Sequence, residues 1–483
     1  MINKFLKKRY IFFAVMLVFA SCVTQKYQRP GMAVKGELFR DIASHNRSAN
    51  DSLKPSDSLS LANIPYTQFF SDTLLQSLIT EGIHENLNLK IAIQRINEAM
   101  ANFRQSKLAY LPSLDGNATV TLNKQSVAAL NLPPDFVGTF PLTTTSYQLS
   151  FSTSWEADIW GKLRNAKKAA ITRYLSSVEG KNFVLTNLVS EIANSYYELR
   201  SLDNKLSIIR QTIRLQQDQL EIVKVQKQAS VVTELALKQF EAQVYSAQSM
   251  EYEILQKITE TENRINFLSG KYPQHIDRDT TSLITLLPNQ VNEGIPSQLL
   301  KNRPDIKQAE LELMAAKIDV RTAQLEFYPS LDITSTLGVQ AFKPRYLFRL
   351  PESLLYSLAG DLIGPIVNRR GIMAEFKTAN ALQISAMYNY QKTILHGFAE
   401  VANELAGINN VSKIYDLKSK QSNVLYESIS ISNDLFKSAR ANYLEVLTAQ
   451  RDALETKLEL VEVRERQFDA VINLYRALGG GWR

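Results

Sequence analysis

The residues able to do chemistry in this chain are few and scattered, and the most informative is a single cysteine. Cys22 follows Phe19-Ala20-Ser21 at the end of an apolar run from Tyr10 to Ala20, which is itself preceded by Lys4, Lys7, Lys8 and Arg9. That order is the basic n-region, apolar h-region and small-residue site of a secretory signal. A cysteine in this place resembles that of a bacterial lipobox, whose thiol is acylated; ordinary cleavage near Ser21 is the alternative. The run is too short for a bilayer-spanning helix, which takes about 20 apolar residues. With no second cysteine there is no intramolecular disulfide. His45, His84, His275 and His396 lack metal-ligand spacing. No phosphate-cradling glycine loop or G-x-S-x-G elbow occurs. The expectation is a protein that is not an enzyme and holds no cofactor or metal.

Composition points the same way. The 483 residues are 45% hydrophobic and 21% charged, and only 18 glycines and 15 prolines interrupt them, which favours long helices. The net charge of +7 falls to about +3 once the four basic residues of the signal are removed. No concentrated basic face is visible, so a nucleic-acid partner is not expected. Residues 1–21 read as signal peptide and 22–63 as a lipid-anchored tether, serine-rich over 43–60.

Everything beyond is duplicated. Pro112-Ser113-Leu114-Asp115 matches Pro329-Ser330-Leu331-Asp332, Glu234 with Gln239 and Ala242 matches Glu445 with Gln450 and Ala453, and Asn263, Leu268 and Gly270 match Asn473, Leu478 and Gly480. The repeats are 64–270 and 297–480, joined by a linker over 271–296 and followed by a tail, 481–483. Each reads as helix, strand, strand, long helix, long helix. The first helices are predicted over 67–109 and 297–327, ending where Pro112 and Pro329 turn the chain to extended structure.

The strands alternate with period two. Leu114, Gly116, Ala118, Val120 and Leu122 alternate with polar residues, as do Tyr147, Leu149, Phe151, Thr153 and Trp155, and then Leu331, Ile333, Leu337 and Val339. A fourth strand near 353–363 is less clean because Leu354 and Leu355 are adjacent. Such alternation over about ten residues suits transmembrane β-strands, apolar to lipid and polar to a lumen; a half-exposed soluble sheet is the alternative. Four strands cannot close a membrane barrel, since the smallest have about eight, and an open edge in lipid leaves backbone groups unsatisfied. A membrane location therefore requires several chains to pool their strands.

The long helices carry a heptad seam. Val178, Leu185, Ile192, Leu199, Leu206, Ile213 and Leu220 recur at spacing seven, with Leu188, Leu202, Ile209 and Val223 three later, and Leu447, Leu454, Val461, Phe468 and Tyr475 repeat the row. This predicts a coiled coil. Turns are expected near 226–233 and 438–445, with arms of some 60 residues reaching on the order of 90 Å.

These features together resemble the outer-membrane factor family, the TolC-like outer-membrane efflux proteins. The strings that carry the resemblance are Arg303-Pro304-Asp305-Ile306 opening a helix, Tyr328-Pro329-Ser330-Leu331 entering a strand, Trp155–Lys162 (WEADIWGK) leaving one, and Asn442–Gln450 (NYLEVLTAQ) opening the last helix. The resemblance implies a homotrimer whose twelve strands close an outer-membrane β-barrel, continued into the periplasm by an α-helical coiled-coil barrel. It further implies a periplasmic adaptor and an inner-membrane resistance-nodulation-division pump as partners, and efflux of small molecules such as drugs. A duct for protein secretion or metal efflux, or a periplasmic scaffold without a pore, are the other readings. Relatives often place an aspartate where Thr448 stands here. Glu445 could supply the missing charge at a three-fold constriction, paired across chains with Arg440 or Arg451, or be only a helix-start residue. Leu444 is a candidate apolar constriction. Thr233 and Glu234, at the matching turn, are candidates for adaptor contact.

Overall fold

The computed structural model describes residues 63–126, 128, 142–279, 283, 299–366, 369–438 and 440–482. The signal, the tether and Cys22 lie outside them, as does most of the predicted linker. The first repeat contains α1 (Tyr66–Phe69), α2 (Thr73–Glu85), α3 (Leu87–Leu108), β1 (Ser113–Lys124), β2 (Thr143–Ala157), α4 (Lys162–Gln228) and α5 (Glu234–Leu268). The second contains α6 (Leu299–Asn302), α7 (Pro304–Leu325), β3 (Ser330–Ala341), β4 (Leu354–Ile363), α8 (Arg369–Lys437) and α9 (Tyr443–Ala477).

The first helix of each repeat is broken, where the sequence predicts it continuous. Asn86 leaves helical geometry, caps α3 by accepting from Leu89 N, and donates its Nδ2 to Leu268 O at 2.8 Å. In the second repeat Pro304 takes the first position of α7, where its missing N–H costs nothing. Arg303 before it donates Nη1 to Ala477 O at 2.8 Å, clasps Asp305 at 3.0 and 2.7 Å, and lies 2.7 Å from Glu400. Both breaks thus satisfy the last carbonyl of a returning helix, an acceptor that has no partner within its own helix. The glycines behind those ends have positive φ, at Gly270 and Gly479. The sequence match pairs Gly270 with Gly480, one residue away.

The strands form one antiparallel sheet in the order β1-β2-β3-β4, so the hairpins of the two repeats join edge to edge between β2 and β3. Register brings the apolar sets together: Gly116 opposite Phe151, Phe151 opposite Leu337, and Leu337 opposite Tyr356. β4 is resolved by the same register. Leu354 pairs with Val339 on the apolar face, and Leu355 pairs with Gly338 on the other. At about 3.3 Å per residue and a tilt near 40°, a strand of 12 residues rises about 30 Å, a bilayer's hydrocarbon thickness.

The string that leaves β2 has a local physical reason. Asp158 accepts from Leu163 N at 3.0 Å and Arg164 N at 3.1 Å, Trp160 donates to Pro329 O at 2.8 Å, and Gly161 adopts φ +83°, which favours glycine.

The helices form a wall in which α3 and α5 lie along one side of α4, α7 and α9 along the other, and α8 beyond them. The returning arms α5 and α9 are each 35 residues, against the 60 expected, because each shares its long partner, of 67 or 69 residues, with α3 or α7. The heptad rows are the packing face. Ile192, Leu199, Ile213, Leu220 and the companions Leu188, Leu202, Ile209 and Val223 are buried, as are all five of the α9 row. Where the halves meet, Tyr197 stacks on Phe468 at 4.4 Å and Phe69 on Tyr475 at 4.1 Å. The outermost helix α8 leaves Leu382, Tyr388, Leu395, Leu417 and Tyr426 exposed, and the opposite edge leaves Tyr252 and Phe267 exposed. Open apolar edges on the helix wall and unpaired β1 and β4 edges on the sheet are what closure with further copies would cover.

Candidate functional site

The two hairpin tips lie side by side. Leu220 and Val223 of α4, Phe240 and Val244 of α5 and Leu447 of α9 form one buried cluster, with Val232 and Tyr443 packed on it. Gln450 donates to Gln219 at 2.6 Å across the same seam.

At the first tip, Thr233 caps α5 by accepting from Ala236 N at 3.2 Å. Glu234, the first helical residue, pairs with Lys227 across the turn at 2.7 Å. The hydrogen bond from Lys227 holds the Glu234 carboxyl below the usual carboxylate range. Ser230 completes the turn at φ +58°. Both adaptor-contact candidates are exposed.

At the second tip, Asn442 caps α9 by accepting from Leu444 N at 2.8 Å and Glu445 N at 3.2 Å. Glu445 is therefore the third helical residue, not the first, so it is not placed like Glu234 despite the sequence match. Tyr443, Leu447, Gln450 and Leu454 point to the packed side. Leu444, Thr448 and Arg451, at i, i+4 and i+7, make one exposed stripe on the other side, with Glu445 beside it. The structure thus brings the α9 candidates onto one face. Arg440 stands apart in the turn. Arg451 engages Asp452 at 3.1 Å. The side chains of Glu445 and Arg440 have no hydrogen-bond or ion-pair partner among the described residues.

Three contributors were missed from sequence: Lys227, Asn442 and a row of carboxylates on the polar face of the sheet. Asn442 carried a signal, being a good cap type before a heptad row. In the row, Glu156 lies opposite Asp332 and Asp332 opposite Asp361. Like charges directly opposite destabilise a sheet, and rings of carboxylates favour cations in a pore. Lys162 partly neutralises the row, 2.8 Å from Glu156. Among the described residues no cluster could hold a metal ion and no helix is long and apolar enough to cross a membrane.

A sheet with an apolar and a polar face, free edges, and a helical wall far longer than a compact domain needs define a channel-forming outer-membrane protein. The family profile described as outer membrane efflux protein matches residues 78–271 and 295–480, and the chain belongs to that family. It is an outer-membrane efflux channel of the trimeric β-barrel and α-barrel class, extends into the periplasm, and does no covalent chemistry. It is 27% identical to the cation efflux system protein CusC of Escherichia coli over 472 residues, covering 98% of each chain. It is also 27% identical over 417 residues to the toluene efflux pump outer membrane protein TtgI of Pseudomonas putida, covering 86% of this chain and 87% of that one. A crystal structure of CusC superposes with a TM-score of 0.81 at 26% identity, covering 95% of this chain and 99% of that one. Proteins of this family form trimers and work with adaptors and inner-membrane pumps.

Proposed function

We propose that this chain, as a homotrimer, is the exit duct of a three-part efflux machine, anchored by acylated Cys22 and passing small molecules such as drugs from a resistance-nodulation-division pump through a periplasmic adaptor. The observation that carries the reading is the unpacked stripe Leu444, Thr448 and Arg451 with unpartnered Glu445, at the end of the wall away from the sheet. Three copies of that stripe around the axis would form a narrow, charged, apolar-rimmed constriction. The packed tip of the first repeat, with Thr233 and Glu234 exposed, is the part an adaptor would meet. Pump energy enters through those partners. A second reading, a duct for cations, is favoured by the full-length similarity to a cation efflux protein and by the carboxylate row Glu156, Asp332 and Asp361.

Deletion of the gene, with complementation by the full chain, tests the cargo. Increased sensitivity to dyes and antibiotics supports the drug reading; sensitivity confined to metal salts supports the cation one. Electron microscopy of the detergent-extracted full-length protein tests the assembly, with a three-fold particle over about 100 Å long expected from the 67-residue helix. A monomer soluble without detergent would contradict the duct.

A further inference from the structure

The two ends of the sheet differ in chemistry. At the helix end the aromatic residues are tied to the backbone, Trp155 to Tyr110 O at 2.9 Å and Trp160 to Pro329 O. At the far end the loop between β3 and β4, residues 342–353, interleaves aromatics with cations: Phe342-Lys343-Pro344-Arg345-Tyr346-Leu347-Phe348-Arg349-Leu350. The loop between β1 and β2, residues 125–142, contains no Lys or Arg and one Asp. Apart from Lys124 at the end of β1, the basic residues next to the outer strand ends are those of this loop.

That loop is built, not loose. A 3-10 turn, Pro344–Tyr346, holds its centre, Arg349 N donates to Tyr346 O at 3.1 Å, and Ser353 donates to Arg349 O through both N and Oγ at 3.0 Å. Leu347 is buried beneath it. Phe342, Phe348 and Leu350 are 70%, 75% and 64% exposed, a far larger apolar display than a loop in water keeps. Arg349 is shared with Glu352 at 3.4 Å and Arg345 lies over the Tyr346 ring at 4.6 Å. Neither Lys343 nor Arg345 has a carboxylate partner among the described residues. Together Gln340, Phe342, Lys343, Tyr346, Arg349 and Glu352 line an open concavity of about 610 Å³, within the range of small-ligand sites.

We propose that this loop binds a phosphorylated glycolipid of the outer leaflet, its acyl chains against Phe342, Phe348 and Leu350 and its phosphate groups on Lys343, Arg345 and Arg349. The loop follows directly on β3 and β4, whose Leu337 and Val339 pair with Tyr356 and Leu354 on the apolar face, so its exposed apolar residues stand at the end of a surface already in lipid. The cations lie beyond the last strand residue, Ala341, at headgroup level. Planar guanidinium forks suit phosphate, and a sugar-borne phosphate stands far enough from the acyl layer to reach them. The inference rests on insertion of the strands in the membrane.

The test uses full-length protein reconstituted in phosphatidylcholine nanodiscs doped with lipid A or with phosphatidylglycerol, and native mass spectrometry of the lipid it retains. Lipid A retention several-fold above phosphatidylglycerol is expected, falling to parity in K343Q/R345Q/R349Q and recovering in part in R345K/R349K. Equal retention of the two lipids, or an unchanged ratio in the triple variant, overturns the proposal. Channel conductance of the same variants in planar bilayers reports insertion separately. A triple variant that conducts like wild type but has lost the lipid ratio upholds both readings, and loss of conductance in the wild type itself overturns the membrane reading on which the proposal rests.

Discussion

At the tip of the first hairpin Lys227 reaches across the turn to Glu234, while at the second tip Glu445 and Arg440 are left without partners among the described residues. The joints at the other ends of the returning helices differ in the opposite sense. Asn86 holds the first joint with a neutral amide, and Arg303 holds the second with a buried guanidinium shared among Asp305, Glu400 and Ala477 O. The first repeat is thus tied at its tip by an exposed ion pair and at its joint by the Asn86 amide with the Lys271–Glu81 pair, while the second is held at its joint by a buried guanidinium and leaves Glu445 and Arg440 unpartnered among the described residues at its tip. A duplicated unit in which one hairpin must hold and the other must move would be fastened in this way, with the pivot where the mobile hairpin is anchored.

The joints give the largest expected difference. Arg303→Ala takes the guanidinium from Asp305 and from Ala477 O, leaves Glu400 with Arg476 at 3.6 Å, and should cost about 3 kcal/mol. Asn86→Ala loses a cap and one hydrogen bond and should cost about 1–2 kcal/mol. Thermal melts of the full-length protein in detergent read both, and equal losses would break the contrast between joints.

The second repeat also carries a buried acid where the halves meet. Burial pushes Asp469 up to about 7, with Glu465 on its own helix, Glu198 on α4 and Glu404 on α8 adding to the rise. The folded state therefore binds a proton that the unfolded chain releases near pH 4. Stability should fall as pH rises from about 4 to 7 and then level off. Asp469→Asn should flatten that slope, leaving the smaller part due to Glu465 and Glu404, which burial also pushes up, and stabilise the protein by on the order of 2 kcal/mol at pH 8, with no gain at pH 4. Melting temperature against pH checks this, and a parallel curve for the variant would contradict it.

Smaller effects belong to the tips. Asn442→Ala should cost about 1 kcal/mol, seen as faster amide exchange over the first turn of α9, and Thr233→Ala should cost no more, because the Lys227 pair remains. Ser230→Gly should slow exchange at the first tip by relieving the left-handed residue, worth a few tenths of a kcal/mol. A larger gain than the Asn442 loss would mean that the first tip is the strained one.

The strands were legible almost to the residue because period-two alternation and the entering prolines are local signals, and the expected 114–123 became Ser113–Lys124. The heptad rows were legible for the same reason. The break at Asn86 was not: an asparagine is a good cap type there as at position 442, but what fixes the break is the Leu268 carbonyl, 182 residues away. The arm lengths were not either, because α3 and α7 complete the wall that α5 and α9 leave short. At the tips residue identity alone suggested charge, but which charge was already satisfied depended on the turn geometry that brings Lys227 to Glu234.

The most direct test of the account is single-channel conductance in planar bilayers for the full-length trimer with each tip altered in turn. Glu445→Ala and Leu444→Ser are expected to raise the closed-state conductance several-fold, and Lys227→Ala with Glu234→Ala to leave it near wild type. Opening by the first-tip pair, with no response to the second, would contradict the assignment of the constriction to the α9 stripe.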